Sequence, residues 1–264
     1  MLTLPDIMVA PNGARRTQAD HPKLPVTINE TVEVCRACAD AGATGAHLHI
    51  RDAQGLHTLD ADLYKRLLDR MDAALPDFFS QITSETAGRF TAEDQRDLIQ
   101  SLKPKSISVA LREFAPDDAT LPAARDGYHW AFENNVTIQH ICYSETELNR
   151  LLSFIEEGHI PGQHHHVQLV LGSYDGTKRS NADDIETFAA PLIKPCGGQS
   201  YDWMLCAFGP QETECLVRSL ELGGKARIGF ENSLWHRDGS LASGNAERVE
   251  ELVAQMEAQE RRND

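Results

Sequence analysis

Two short clusters in this 264-residue sequence have residue types and spacing suited to metal-assisted chemistry. The first is His47-Leu48-His49-Ile50-Arg51-Asp52. Side chains alternate along a strand, so an extended segment turns His47 and His49 to one face. Two neighbouring imidazoles suit a divalent cation such as zinc. The second cluster is Arg227-Ile228-Gly229-Phe230-Glu231-Asn232, where Arg227, Gly229 and Glu231 share a face of an extended chain. Two histidines and a carboxylate leave coordination positions open for substrate, as a catalytic metal requires. The histidine pair alone is also compatible with polar interior residues satisfied by hydrogen bonds. Two other clusters carry less. Cys35-Arg-Ala-Cys38 has no second pair to complete a zinc quartet and reads as the buried face of a helix. His164-His165-His166 falls at the start of a strand, away from the expected active face, and reads as surface.

The elements that must position these residues alternate between strand and helix. Strands are expected at 6–11, 45–51, 78–84, 106–112, 137–144, 165–172, 201–209 and 225–233. Helices are expected at about 29–41, 61–75, 92–101, 122–134, 144–158, 181–193, 210–224 and 245–259, with the tail Gln259-Glu-Arg-Arg-Asn-Asp264 fraying. Thr91 reads as an N-cap, and Ser144 with Glu147 reads as a capping box. Eight strand–helix units without a linker or composition break point to one α/β domain over 1–264, a (β/α)8 barrel. A doubly wound open sheet is the rival, although GxGxxG does not follow the first strand. In a closed barrel the first strand lies between the second and the eighth, so Glu231 can reach the histidine pair. The loops after the strands build the site.

Lys and Arg number 25 against 40 Asp and Glu, a net charge of −15. That balance argues against nucleic-acid or anionic-membrane partners, which need dense positive charge. A 41% hydrophobic content supports a sizeable core. No apolar run approaches a membrane span, and the N-terminal residues lack a signal-peptide pattern. The expectation is a cytoplasmic protein. Six scattered cysteines do not read as a disulfide framework.

HLHIRD after a Gly/Ala-rich helix end, APNGARRTQADHPKLPVT near the N-terminus and GGKARIGFEN near the C-terminus resemble the β-keto acid cleavage enzymes. The resemblance covers nearly the whole chain, including QITS and the VLG of the sixth strand. It implies a (β/α)8 barrel, zinc or another divalent metal held by His47, His49 and Glu231, and a homo-oligomer, dimer or tetramer. It also implies a reaction. A β-keto acid and acetyl-CoA become acetoacetate and a new acyl-CoA. The metal acts as a Lewis acid on the keto acid, and a base removes the proton between its two carbonyl groups. Arg227 matches an arginine near the reacting thioester, placed to stabilise oxyanions. Ser84, or its neighbour Thr83, lies where the family places a hydroxyl after the third strand, and Ser84 is assigned the substrate hydrogen bond.

Three departures from the family pattern concern chemistry. Asn232 stands where many members carry an aspartate base, and an amide cannot act as a carboxylate base. Ser84-Glu85-Thr86-Ala87-Gly88 replaces a glycine-rich turn, which makes Glu85 the substitute base. Asn12-Gly13-Ala14-Arg15-Arg16 places Arg15 where the aminated-substrate enzyme has a glutamate, with Asn12 beside it at the substrate. A cation there repels an amine and pairs with a carboxylate. His140 reads as an interior histidine, and Gly172–Gly176 as a loop whose backbone amides face a ligand. The leading reading is a zinc-dependent acyltransferase of the β-keto acid cleavage type. The alternatives are a CoA-independent metal lyase or hydrolase on the same barrel, and a non-catalytic metabolite-binding protein.

Overall fold

Eight parallel strands close into a barrel in the computed structural model, which describes residues 2–263. The strands of the chain are β1 (Ile7–Val9), β2 (Gly45–Leu48), β3 (Ile50–Arg51), β4 (His57–Thr58), β5 (Phe79–Thr83), β6 (Ser106–Ala110), β7 (Thr137–Cys142), β8 (His164–Leu171), β9 (Ser200–Ala207) and β10 (Lys225–Ile228). The barrel order is β1-β10-β9-β8-β7-β6-β5-β2, with β2 paired back to β1. Helices α1 (Ile28–Asp40), α2 (Ala61–Ala74), α3 (Ala92–Leu102), α4 (Leu111–Phe114), α5 (Leu121–Glu133), α6 (Glu145–Glu156), α7 (Ile185–Ile193), α8 (Glu212–Glu221) and α9 (Asn245–Asn263) complete the chain. This is the (β/α)8 architecture that alternation predicts. Among the described residues, no helix is long and apolar enough to cross a membrane.

The barrel strands are short and buried on both faces, so outward side chains pack on helices and inward ones fill the barrel. The outer layer includes Val9, Leu48, Ile82, Ile107, Val167 and Leu205. Cys35 and Cys38 join it from α1, both fully buried, and burial pushes the Cys38 thiol up to about 12. Inside, the packing is polar where it must hold the site. Gln81 Nε2 donates to Gln139 Oε1 at 3.0 Å and to Ser106 Oγ at 3.3 Å. Below this network Leu4, Met8 and Met204 form an apolar floor.

Local chemistry sets the helix starts. Thr91 accepts from Asp94 N and caps α3, and Thr27 with Glu30 makes a capping box on α1. At α6 half of the expected box forms: Ser144 accepts from Glu147 N, while the Glu147 carboxylate accepts from Tyr143 N at 2.9 Å.

Several expected boundaries differ, four of them as follows. The second strand breaks at His49, and β3 turns outward to pair antiparallel with β4. The fourth stops at Ala110, where Leu111–Phe114 coil into α4. The eighth stops at Ile228, because Gly229 takes φ +141° and opens a turn. The last helix runs to Asn263 rather than fraying from Gln259; the final residue of that tail, Asp264, lies outside the described residues.

Candidate active site

β1 lies between β2 and β10, with Met8 in register with both Gly45 and Arg227. This places the ends of β2 and β10 on either side of one strand. His47 lies on β2 and His49 just beyond it, both 1% exposed. Their Nε2 atoms face each other at 3.2 Å. Glu231 reaches them from the turn after β10 rather than from the strand itself. Gly229 permits that turn: a Cβ on it would lie 2.5 Å from the Ala10 carbonyl oxygen. The turn closes with Asn232 N donating to Gly229 O at 2.9 Å. Glu231 Oε2 then stands 3.4 Å from His49 Nε2 and 3.7 Å from His47 Nε2.

The donor set fits a divalent metal. One ligand atom from each of His47, His49 and Glu231 lies within 4.8 Å of the others. Burial lowers His47 to about 4 and His49 to about 3, so both rings are neutral near pH 7. Burial opposes the Glu231 charge, but the Arg227 guanidinium beside it holds it well below the usual carboxylate range. Glu231 Oε2 is buried without a hydrogen-bond partner. Convergent imidazole nitrogens, an ionised carboxylate and an unpartnered oxygen form the donor pattern of a catalytic two-histidine, one-carboxylate site.

A small cavity of about 30 Å³ adjoins this group. Arg227, Glu85, Thr83, Tyr143 and Tyr174 line it with His47 and Glu231. Arg227 donates to Glu231 Oε1 at 3.2 Å and to Cys206 Sγ at 3.3 Å, while its Nε and Nη1 are buried without partners. Burial works against the guanidinium charge, but Cys206 and Glu231 hold its pKa above the ordinary value. Glu85 Oε2 is 4.0 Å from His49 Nε2, and Glu85 Oε1 is 3.8 Å from Arg15. Burial, then Glu231 and Glu113, raise Glu85 to about 7 despite Arg15 and Arg227. Arg15 is over half exposed and lies 5.3 Å from the Tyr174 ring centroid, at the mouth.

The remaining expected residues divide. Thr83 lines the cavity, and its hydroxyl accepts from Glu85 N at 3.0 Å. Ser84 does not: its hydroxyl donates to Ser108 O and accepts from Gln95 Nε2, so it fixes the strand end. Asn12 is buried, and its Nδ2 is taken by the carbonyls of Pro25 and His49 at 3.2 Å each; it positions His49 rather than lining the cavity. Asn232 is fully buried beside Glu231 in sequence, outside the cavity wall, with both side-chain polar atoms unpartnered.

Other residues came into view only with the structure. Gln81 Oε1 meets His47 Nδ1 at 2.9 Å. Tyr174 projects into the cavity from the Gly172–Gly176 loop, where backbone amides were expected to face a ligand; its hydroxyl is buried and unpartnered. Arg51 ties the β1–α1 loop to the site through the carbonyls of Gly13, Ala14 and Arg16. His57, on the β3–β4 hairpin, holds the Glu85 carbonyl at 2.8 Å. The alternation of Gln81 with Thr83 along β5 was the available signal for Gln81; nothing local in sequence pointed to His57. His165 and His166 prove to be buried rather than surface, with His164 half-buried, and His140 is buried against Tyr128.

A family model described as beta-keto acid cleavage enzyme matches residues 6–263. The 3-keto-5-aminohexanoate cleavage enzyme of Acetoanaerobium sticklandii is 25% identical over 246 residues, covering 91% of this chain and 87% of the relative. A 3-oxoadipate:acetyl-CoA acetyltransferase of Cupriavidus necator is 25% identical over 257 residues, covering 95% and 88%. A 3,5-dioxohexanoate:acetyl-CoA acetone transferase of Paraburkholderia graminis is 24% identical, covering 93% and 87%. Among solved structures, apo ObcA superposes with a TM-score of 0.71 at 14% identity over 90% of this chain. The chain spans 63% of ObcA, and the likeness is one of fold.

Proposed function

The chain belongs to the β-keto acid cleavage enzyme family, and from that premise we propose that it converts a β-keto acid and acetyl-CoA into acetoacetate and a new acyl-CoA. The observation that carries this reading is the convergence of His47, His49 and Glu231 beside a cavity walled by Arg227 and Glu85. We assign the three ligands to zinc, which when bound supplies Lewis-acid polarisation of substrate oxygens.

Glu85 is the base in this reading. It takes a proton from the carbon between the ketone and the carboxylate of the keto acid. That carbon bonds to the acetyl carbonyl carbon, and CoA leaves as thiolate. The thiolate then attacks the former ketone carbon. Cleavage of the bond between that carbon and its neighbour leaves the new acyl-CoA, and Glu85 returns its proton to the departing acetoacetate carbon. Arg227, with unpartnered Nε and Nη1 donors, faces the oxygens that gain negative charge. Thr83 holds the backbone of Glu85 in place.

Arg15 at the mouth favours a far end that is anionic or strongly polar. In charge that resembles 3-oxoadipate, named for one relative, more than 3-keto-5-aminohexanoate, named for another. A cavity of about 30 Å³ holds little more than a water molecule, so substrate entry displaces part of the wall. Tyr174, on a loop between glycines, is the wall residue under Arg15.

The test is mass spectrometry of CoA products from metal-replete protein given acetyl-CoA and a panel of carboxylated, neutral and aminated β-keto acids. A chelator-sensitive new acyl-CoA with acetoacetate supports the reading. Turnover of a keto acid without CoA replaces it with the lyase, and tight keto-acid binding without turnover replaces it with the binding protein.

A further inference from the structure

The barrel carries a second set of metal-ligand side chains at its other end. β8 opens with His164-His165-His166, and His166 is in register with Gln139, whose side chain meets Gln81 inside the barrel. Alternation therefore turns His164 and His166 inward. Asp202 of β9 is in register with His166 and joins them. One ligand atom from each of the three lies within 4.8 Å of the others.

The arrangement shares three features with the active site. The His164 and His166 ring centroids are 5.0 Å apart and the rings stand at 87°; for His47 and His49 the values are 5.1 Å and 76°. His166 Nε2 is 3.9 Å from Asp202 Oδ2, against 3.7 Å between His47 Nε2 and Glu231 Oε2. Lys225 pairs with Asp202 at 3.0 Å as Arg227, two residues further along β10, pairs with Glu231 at 3.2 Å. A neighbouring cation is thus common to both sets.

We propose that His164, His166 and Asp202 form a second divalent-cation site at the N-terminal mouth of the barrel, separate from the active site. Its outer contacts are in place. His164 Nδ1 meets Ser200 Oγ at 2.9 Å. The Leu2 carbonyl lies 2.8 Å from His166 Nε2, a bond that gives way when that nitrogen binds the ion. Asp202 Oδ2 accepts from Leu4 N at 2.7 Å. Such contacts orient metal-binding imidazoles and carboxylates. A cavity of about 420 Å³ lined by Leu2, His164 and His166 gives an entry path. The side chains belong to β8 and β9 and bond the N-terminal segment, so an ion here joins three parts of the barrel base. The site is structural: bound ion stabilises the native chain by mass action.

The test counts metal. Untagged protein is stripped with chelator, reloaded with Zn2+, gel-filtered and assayed by inductively coupled plasma mass spectrometry. The unmodified chain is expected to retain two equivalents. His47→Ala/His49→Ala retains one, His164→Gln/His166→Gln retains one, and the fourfold variant none. In the His47→Ala/His49→Ala background Zn2+ still raises Tm, and adding His164→Gln/His166→Gln abolishes that rise. Should the second pair unfold the chain by circular dichroism, His164→Gln alone, at the half-buried rim, replaces it. The proposal is overturned by one equivalent that disappears with His47→Ala/His49→Ala, by two equivalents surviving loss of the second pair, or by a Tm indifferent to Zn2+ in the first background.

Discussion

Gln81 Oε1 lies 2.9 Å from His47 Nδ1, and this contact decides which nitrogen of the ring faces the site. Gln81 Nε2 is engaged by Gln139 and Ser106, so its carbonyl oxygen is the atom left for His47. A carbonyl only accepts, so Nδ1 carries the proton and Nε2 keeps its lone pair. Removing such a partner weakens metal affinity about 10- to 100-fold. Gln81→Leu is therefore expected to lose affinity in that range in a competition titration against a chromophoric chelator. Unchanged affinity contradicts the orienting role.

Glu85 lines the cavity with its Oε2 4.0 Å from His49 Nε2, while Asn232 is buried outside the wall. If Glu85 carries the proton, Glu85→Gln lowers kcat by about 100- to 10,000-fold, the range of general acid–base catalysis, with metal content unchanged. Exchange of the substrate α-proton in heavy water, followed by NMR, slows alongside it. A variant that exchanges and turns over at the original rate removes Glu85 from the mechanism.

The specificity prediction rests on one exposed cation. Arg15 lies at the mouth, 3.8 Å from Glu85 and against Tyr174. Carboxylated β-keto acids are expected to give higher kcat/KM than aminated ones, and Arg15→Glu is expected to reverse the order. If Arg15 meets only the far end of the substrate, the change falls mainly in KM. An amine preference in the unmodified protein rejects this account.

The barrel, and the meeting of β2 with β10 across β1, could be read from eight alternating segments and the rule of closure. His47, His49 and Glu231 were legible because spacing and strand alternation bring them together. What sequence did not disclose was set by backbone breaks. Gly229 ends β10 early, so Glu231 arrives from a turn. Ser84 and Thr83 are neighbours with opposite facing, and only the register of β5 decides that Thr83 meets the cavity. Asn12 looked like a substrate contact and instead holds the His49 carbonyl, a long-range bond no local pattern encodes. Tyr174 enters from a loop whose path depends on the rest of the barrel.

Gly13 is a backbone requirement of the site. Its φ is +63°, and a Cβ would lie 2.6 Å from Glu231 Cγ. Gly13→Ala imposes left-handed strain of roughly 1–3 kcal/mol and presses on Glu231. The expected result is a lower Tm with reduced zinc retention. A variant equal to the original in both would mean that the loop relaxes freely and does not hold Glu231.

The central claim is that the acetyl group of acetyl-CoA ends in acetoacetate while the keto acid supplies the new acyl-CoA. Acetyl-CoA labelled with carbon-13 in both acetyl carbons tests it in one reaction, read by mass spectrometry. The account predicts acetoacetate carrying both labelled carbons, an unlabelled new acyl-CoA, and loss of both products on chelation or in His47→Ala. Unlabelled acetoacetate, label in the new acyl-CoA, or cleavage that proceeds without CoA contradicts it.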